Sequence, residues 1–327
     1  MPAEWEPHEA TWIAWPHNRS DWPGRFAPIP WVYAEIVRQL SRVEKVRILV
    51  ENGAEEKRAR AMLRKAGATM EAVEFIPCPT NRIWTRDFGP IFVKNRREVA
   101  ITGWRFNAWA KYDDWRKDAL VPGAAARHLG LPIFRPDMVL EGGSIDVNGA
   151  GMMLTTEECL LSEVQQRNPG MTRRDIERHF RDYLGIRRVI WLRNGIVGDD
   201  THGHVDDLAR FVSADSVVVA SETDRADANY LPLRENLALL RAAGFRVVKL
   251  PMPRPLVFAG QRLPASYANF YIANGLVLVP TFNDPHDRAA LTTLARLFPD
   301  REVTGINCTD LIWGLGALHC MTQQQPR

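Results

Sequence analysis

The order of apolar and polar positions repeats along this chain. RDFGPIFVKNRREVAI, residues 86–101, reads as a strand, a polar turn and a second strand. EGGSIDVNGAGMMLTT (141–156), GHVDDLARFVSADSVVVAS (203–221) and SYANFYIANGLVLVPTF (266–282) follow the same plan. Each hairpin leads into a stretch of helical periodicity and then a short apolar strand. The pairs are WRKDALVPGAAARHLG with PIFRP, MTRRDIERHFRDYLG with RVIWL, LPLRENLALLRAAG with RVVKL, and HDRAALTTLARLF with REVTGI. Several of these helices stop on or near glycine. A fifth unit is predicted across the two termini. HCMTQ supplies its first strand, TWIAWP (Thr11 to Pro16) its second, WVYAEIVRQLSRV its helix and VRILV its last strand. A further helix near Ala54–Arg64 and a strand near Val73–Pro77 extend that unit. Repeated units bury their apolar faces against neighbours, and a ring leaves no end unit exposed. The pattern therefore predicts a closed α/β ring of five hairpin–helix–strand units, one domain over residues 1–327. The competing expectation is an ordinary α/β domain whose hairpins merely look alike.

The repeat also sorts the reactive residue types. Asp87, Glu141, His204, Tyr267 and Cys320 follow one another at intervals of 54, 63, 63 and 53 residues. Each opens the first strand of its unit or lies close to it, and in a ring these starts converge. With Asp206 they bring a thiol, an imidazole and three carboxylates to one place. Singly, each has a plain structural reading: Cys320 as a small buried hydrophobe, His204 as a satisfied core histidine, Asp87 and Asp206 as turn residues, Glu141 as a partner for the amides of Gly142 and Gly143. Together they need a cation, because clustered carboxylates raise one another's pKa. A guanidinium suits them: it is planar, always charged and matches carboxylates bidentately. Asp87 and Asp206 would clamp its nitrogens. Cys320 would attack its carbon, and His204 would protonate the leaving nitrogen and then deprotonate water.

The alternative chemistry lies in THGHVDD. His202, His204 and Asp206 have a His-x-His-x-Asp spacing found in metal-dependent hydrolases. A fuller metal pattern would place another histidine where Asp207 stands, and a metal hydrolase has no need of Cys320.

Composition narrows the setting. The net charge is +3 over 327 residues, and Lys and Arg are scattered, so no nucleic-acid footprint is expected. There is no apolar run of about 18 residues, so no membrane span is expected. The polar start MPAEWEPHEA is unlike a secretory signal. Cys78, Cys159, Cys308 and Cys320 lack CxxC spacing, which fits free thiols in the cytoplasm. The expected partner is a small cationic guanidinium substrate; a homo-oligomer is compatible with the sequence, which does not specify one.

MPAEWEPHEATWIAWP, WTRDFGP, FNAW, LEGGS, LTTEECLLS, GHVDD and LHCMTQQQP together resemble the agmatine deiminase family, which includes the Porphyromonas-type peptidylarginine deiminases. The resemblance implies a five-bladed α/β-propeller, the pentein fold. It implies Cys320 as nucleophile, His204 as acid/base, Asp87 and Asp206 as guanidinium ligands and Glu141 as a further acidic residue. The implied reaction is agmatine plus water giving N-carbamoylputrescine and ammonia through an amidino-cysteine, without a cofactor. It is a step toward putrescine and the polyamines.

The sequence departs from the family pattern at Leu315 and Ala317, in GLGALHC, and at Arg82, where an aspartate is common. These changes bear on the far end of the substrate. Asp200, Trp84 and Trp109 are candidates to hold an amine and an aliphatic chain; Arg82 and Arg105 leave free or peptidyl arginine open. Gly314 and Gly316 read as positions where the backbone approaches the substrate.

Overall fold

A computed structural model describes all of residues 1–327. Five sheets share one plan: an antiparallel hairpin, a helical crossover and a third strand parallel to the second. They are Ile91–Lys94, Val99–Thr102 and Ile133–Phe134; Asp146–Val147, Met152–Thr156 and Arg188–Leu192; Ala209–Phe211, Ser216–Ser221 and Arg246–Pro251; and Tyr271–Ala273, Leu276–Thr281 and Glu302–Asn307. The fifth joins the termini in the order Gln323–Pro326, His8–Ala14, Lys45–Val50, Val73–Pro77.

The crossover helices carry their own start and stop signals. Thr172 and Asp175 form a capping box at the head of Arg173–Leu184, and Gly185 ends it at φ 70°. Ile176, Phe180 and Leu184, four residues apart, are the face this helix buries. Asn52 caps Gly53–Ala66 by accepting from the amides of Ala54 and Glu55.

The terminal strand is polar in sequence yet buried along its length. It pairs antiparallel with the first strand, Trp12 opposite Gln323. Two of its three glutamines find partners inside the fold, while the Gln323 side-chain oxygen has none. Gln325 accepts from the Trp12 indole at 3.0 Å, and Gln324 accepts from Arg86 at 2.7 Å. Buried amides with partners cost little, whereas orphaned ones are expensive. This is why QQQP is a strand and not a frayed tail.

The expected strand starts need correction. The strand of the last unit begins at Gln323, and HC of HCMTQ lies in the turn before it. Asp87 likewise sits in a helical turn, Thr85–Phe88, and not on a strand. A hairpin outside the repeat, Val257–Phe258 with Gln261–Arg262, precedes the fourth sheet. No helix is long and apolar enough to cross a membrane.

Candidate active site

Each of the five hairpins is preceded by a short turn, and the reactive side chains stand on or beside these turns. They are Thr85–Phe88, Gly142–Ser144, Val205–Asp207, the turn at Tyr267–Ala268 and the turn from Leu318 to Met321. Backbone and side-chain bonds tie the turns together. Arg86 N donates to Cys320 O at 3.1 Å, and Thr85 Oγ1 donates to Met321 O at 2.6 Å. Gly143 N donates to Asp87 Oδ1 at 3.0 Å.

Gly143 marks the point of convergence. A Cβ there would lie 2.6 Å from His204 Nδ1, 2.8 Å from Asp87 Oδ1 and 3.1 Å from Asp206 Oδ2. Three functional atoms therefore surround one residue that has no room for a side chain. His204 Nδ1 is 3.7 Å from Asp87 Oδ1, and its Nε2 is 3.7 Å from Glu141 Oε2. Cys320 Sγ is 3.8 Å from Asp206 Oδ2. Four of the evenly spaced residues, Asp87, Glu141, His204 and Cys320, together with Asp206, thus share one buried neighbourhood.

Burial and charge shape the titration of this cluster. Burial first, then the carboxylates of Asp206, Asp207 and Asp87, pushes the Cys320 thiol well above its usual range. Burial alone would lower His204, but Asp87, Cys159 and Glu141 outweigh it and hold it well above the usual histidine range. Asp87 is raised to about 6, chiefly by burial, with His204 opposing and Asp206 and Glu141 adding. Burial would raise Glu141 as well, but the Arg167 guanidinium, followed by His204, brings it to about 2. The free site thus favours a protonated imidazole and a protonated thiol among carboxylates.

A cavity of about 300 Å³ opens onto this cluster, with Cys320, Asp87, Trp84, Trp109, Asp200 and Asp21 among its walls. His204, Asp206 and Glu141 do not line it and are essentially inaccessible. Trp109 Nε1 donates to Asp87 Oδ2 at 2.9 Å. The indole is aimed by a strained backbone: Ala108, Trp109 and Ala110 have φ of 49°, 59° and 53°, a region that costs a non-glycine residue about 1–2 kcal/mol. Trp84 packs on Trp22 with ring centroids 5.7 Å apart. Gly316 would drive a Cβ to 2.7 Å from the Trp84 ring, and Gly314 to 2.6 Å from Trp22. Both glycines do line the cavity, but the indoles behind them forbid a side chain. Leu315 between them takes φ 68°, a left-handed conformation.

Four expectations change here. Tyr267 does not join the cluster, and its hydroxyl turns to Asp287 at 2.7 Å. Asn269, two residues on, contacts Cys320 Sγ instead at 3.0 Å. His202 leaves the His-x-His-x-Asp set: its Nε2 is 3.2 Å from Ser162 Oγ and its Nδ1 3.8 Å from Glu158. Arg105 lies away from the cavity, in an exposed pair with Asp137. Asp200 does reach the cavity wall, but it is already engaged by Lys111 and by Tyr112 OH, the latter at 2.7 Å.

The tertiary structure adds residues that the repeat did not single out. Arg167 holds Glu141. His319 lies between Asp206 Oδ2, at 2.6 Å, and Glu4 Oε2, at 2.8 Å. Asn269 had a usable signal, since it follows Tyr267 at the same offset by which Asp206 follows His204. Arg167 had none, being an ordinary charged residue in a loop.

A profile of the Porphyromonas-type peptidyl-arginine deiminase family matches residues 1–326. This chain belongs to that family. Its members are hydrolases acting on C–N bonds of amidines, and so is this protein. The agmatine deiminase of Pseudomonas aeruginosa is 36% identical over 100% of this chain and 95% of its own length. Two solved relatives cover 100% of this chain at a TM-score of 0.92. One is the C. jejuni agmatine deiminase, a Cys-to-Ser variant with substrate bound, at 31% identity and 96% of its own length. The other is the Enterococcus faecalis agmatine deiminase, at 32% identity and 95% of its own length. The family relation supports guanidine deimination as the reaction class.

Proposed function

We propose that this protein hydrolyses agmatine to N-carbamoylputrescine and ammonia through a covalent amidino-cysteine on Cys320. The observation that carries the reading is the convergence of Asp87 Oδ1, Asp206 Oδ2 and His204 Nδ1 around Gly143, beside the thiol of Cys320.

The guanidinium enters the cavity, pairs with Asp87 on its wall and, at the floor beside Cys320, is drawn to Asp206, whose Oδ2 lies 3.8 Å behind the sulfur. Its charge offsets the carboxylates that raise the thiol's pKa, so substrate binding itself favours the thiolate, and the thiol proton leaves to solvent. Sγ attacks the guanidinium carbon, and the C–N bond to one terminal nitrogen breaks after His204 protonates that nitrogen. Ammonia leaves. His204, now neutral, takes a proton from water as the water oxygen attacks the amidino carbon. The C–S bond breaks, the hydroxyl proton of the adduct passes to solvent, the neutral ureido product departs and the thiolate returns. Glu141, fixed by Arg167, orients His204 and favours its charged form.

The far end of the cavity supports an amine over a carboxylate. Arg82, the one guanidinium on the cavity wall, is already bonded to Asp21 and to Asp114, the latter at 3.0 Å. With Asp200 these carboxylates outnumber Arg82 and Lys111. A dication therefore meets a net negative wall, whereas a substrate carboxylate meets an arginine whose charge is spent.

We extend the reading to the architecture. Five sheets of one plan, with the terminal strands paired, support a five-bladed α/β-propeller closed by the termini, a single catalytic domain over residues 1–327. A cytoplasmic setting fits four unpaired thiols.

The test is ammonia release from agmatine, free arginine, methylated arginine and an arginine peptide. Agmatine should be turned over with kcat/KM at least tenfold above the others. Preference for arginine or its peptides would overturn the substrate assignment, and full activity in Cys320→Ser would overturn the mechanism.

A further inference from the structure

We infer that Asn269 is a further catalytic residue, whose side-chain amide donates a hydrogen bond to the sulfur of Cys320 throughout the reaction. The inference rests on the reading of Cys320 as nucleophile.

The orientation of the Asn269 amide follows from its partners. Its Oδ1 faces two backbone N–H groups, His319 N at 2.9 Å and Cys320 N at 3.4 Å. Those atoms can only donate, so the atom facing them must be the oxygen. The backbone carbonyl of Asn269 also accepts from His319 N, at 3.1 Å. Residue 269 thus grips the turn that carries the nucleophile. The nitrogen is left with two hydrogens and two partners: Asp207 Oδ1 at 2.9 Å and Cys320 Sγ at 3.0 Å. The thiol proton has a different outlet, Asp206 Oδ2 at 3.8 Å. Sulfur therefore accepts from Asn269 both as thiol and as thiolate, and the bond strengthens when charge arrives.

The surroundings give this donor its importance. Asp87, Asp206 and Asp207 face Cys320, and all three disfavour a thiolate. Before substrate binds, the Asn269 amide is the side-chain donor aimed at the sulfur. It is buried with no exposed surface, so water does not screen or replace it. Asp207 holds the amide plane from the other side, which makes Asp207 a positioning residue and accounts for a buried carboxylate that the proton transfers do not use.

Two variants separate the donor from the grip on the turn. Asn269→Asp keeps an oxygen for the two amides but replaces the donor by a second oxygen. Asn269→Ala removes the donor without adding charge. The readout is Cys320 alkylation by iodoacetamide from pH 5 to 11, located by peptide mass spectrometry, with the folded state checked by near-UV circular dichroism. Alkylation needs no deiminase activity, so it reports on Asn269 even if agmatine proves not to be the substrate; ammonia release by the wild type tests that separately. Both variants should move the alkylation midpoint to higher pH, by a unit or more in Asn269→Asp, a roughly tenfold slower reaction at a fixed pH below the midpoint. A folded variant of either kind with the wild-type profile would overturn the proposal. Loss of the fold in both would make Asn269 a strut for the turn and overturn it as well.

Discussion

Arg167 Nε donates to Glu141 Oε1 at 3.0 Å, and neither side chain has any exposed surface. The pair lies behind His204, whose Nε2 faces the other Glu141 oxygen at 3.7 Å. Removing the guanidinium leaves a buried carboxylate without its main partner. Arg167→Met should cost roughly 3–5 kcal/mol of stability. It should also raise Glu141 from about 2, slackening its hold on His204. Urea denaturation and kcat measured on the same preparation check this; a variant of wild-type stability and rate would show the pair to be idle.

Asp87 must be ionised to clamp a guanidinium, and its pKa is raised to about 6. Protonation below that value removes the clamp, so kcat/KM should climb with pH through about 6 and then level. Because kcat/KM reports groups of the free enzyme, the agmatine profile is the measurement. An acidic limb centred near 4 would mean that Asp87 behaves as an ordinary carboxylate.

Asp118 is fully buried and its carboxyl is raised to about 8, mainly by burial, with the amides of Asn81 and Arg82 opposing. Its folded pKa lies above its unfolded one of 3.8. Between these values the folded state holds a proton that the unfolded state lacks, so this group's contribution to stability falls as pH rises. Oδ1 already accepts from Asn81 N at 2.6 Å, while Oδ2 has no partner. Asp118→Asn keeps the acceptor and cannot ionise. The melting temperature of the variant relative to wild type should therefore increase from pH 5 to pH 8.5. An equal difference at both pH values would rule out the buried ionisation.

Deleting Gln323–Arg327 removes the strand paired with His8–Ala14 and the partners of Trp12 and Arg86. The same strand follows directly on the Cys320 turn, so stability and alkylation of Cys320 should both change. A truncated protein with wild-type melting temperature and activity would show the terminal pairing to be dispensable.

Period-two and helical patterns mark hairpins and helices from neighbouring residues alone, so the repeat of hairpin, helix and strand could be read from the chain, including the unit split across its ends. The convergence of Asp87, Glu141, His204 and Cys320 followed from their even spacing on that repeat, with Asp206 two residues beyond His204, whereas Tyr267, equally well spaced, turns away to Asp287. What the pattern could not supply was direction. Reactive residues placed on strands stand on turns, because those turns are held by bonds from other units, such as Arg86 N to Cys320 O. His202 and His204 are two residues apart, yet φ 62° at His202 turns its ring toward Ser162. Arg167, His319 and Glu4 enter through long-range pairing of buried charges, and a polar QQQP becomes a strand because Trp12 and Arg86, distant in sequence, hold Gln325 and Gln324. The sequence by itself determined the elements and the chemical types. Only the tertiary structure decided which buried polar atom meets which, since that depends on distances between units that no local period encodes.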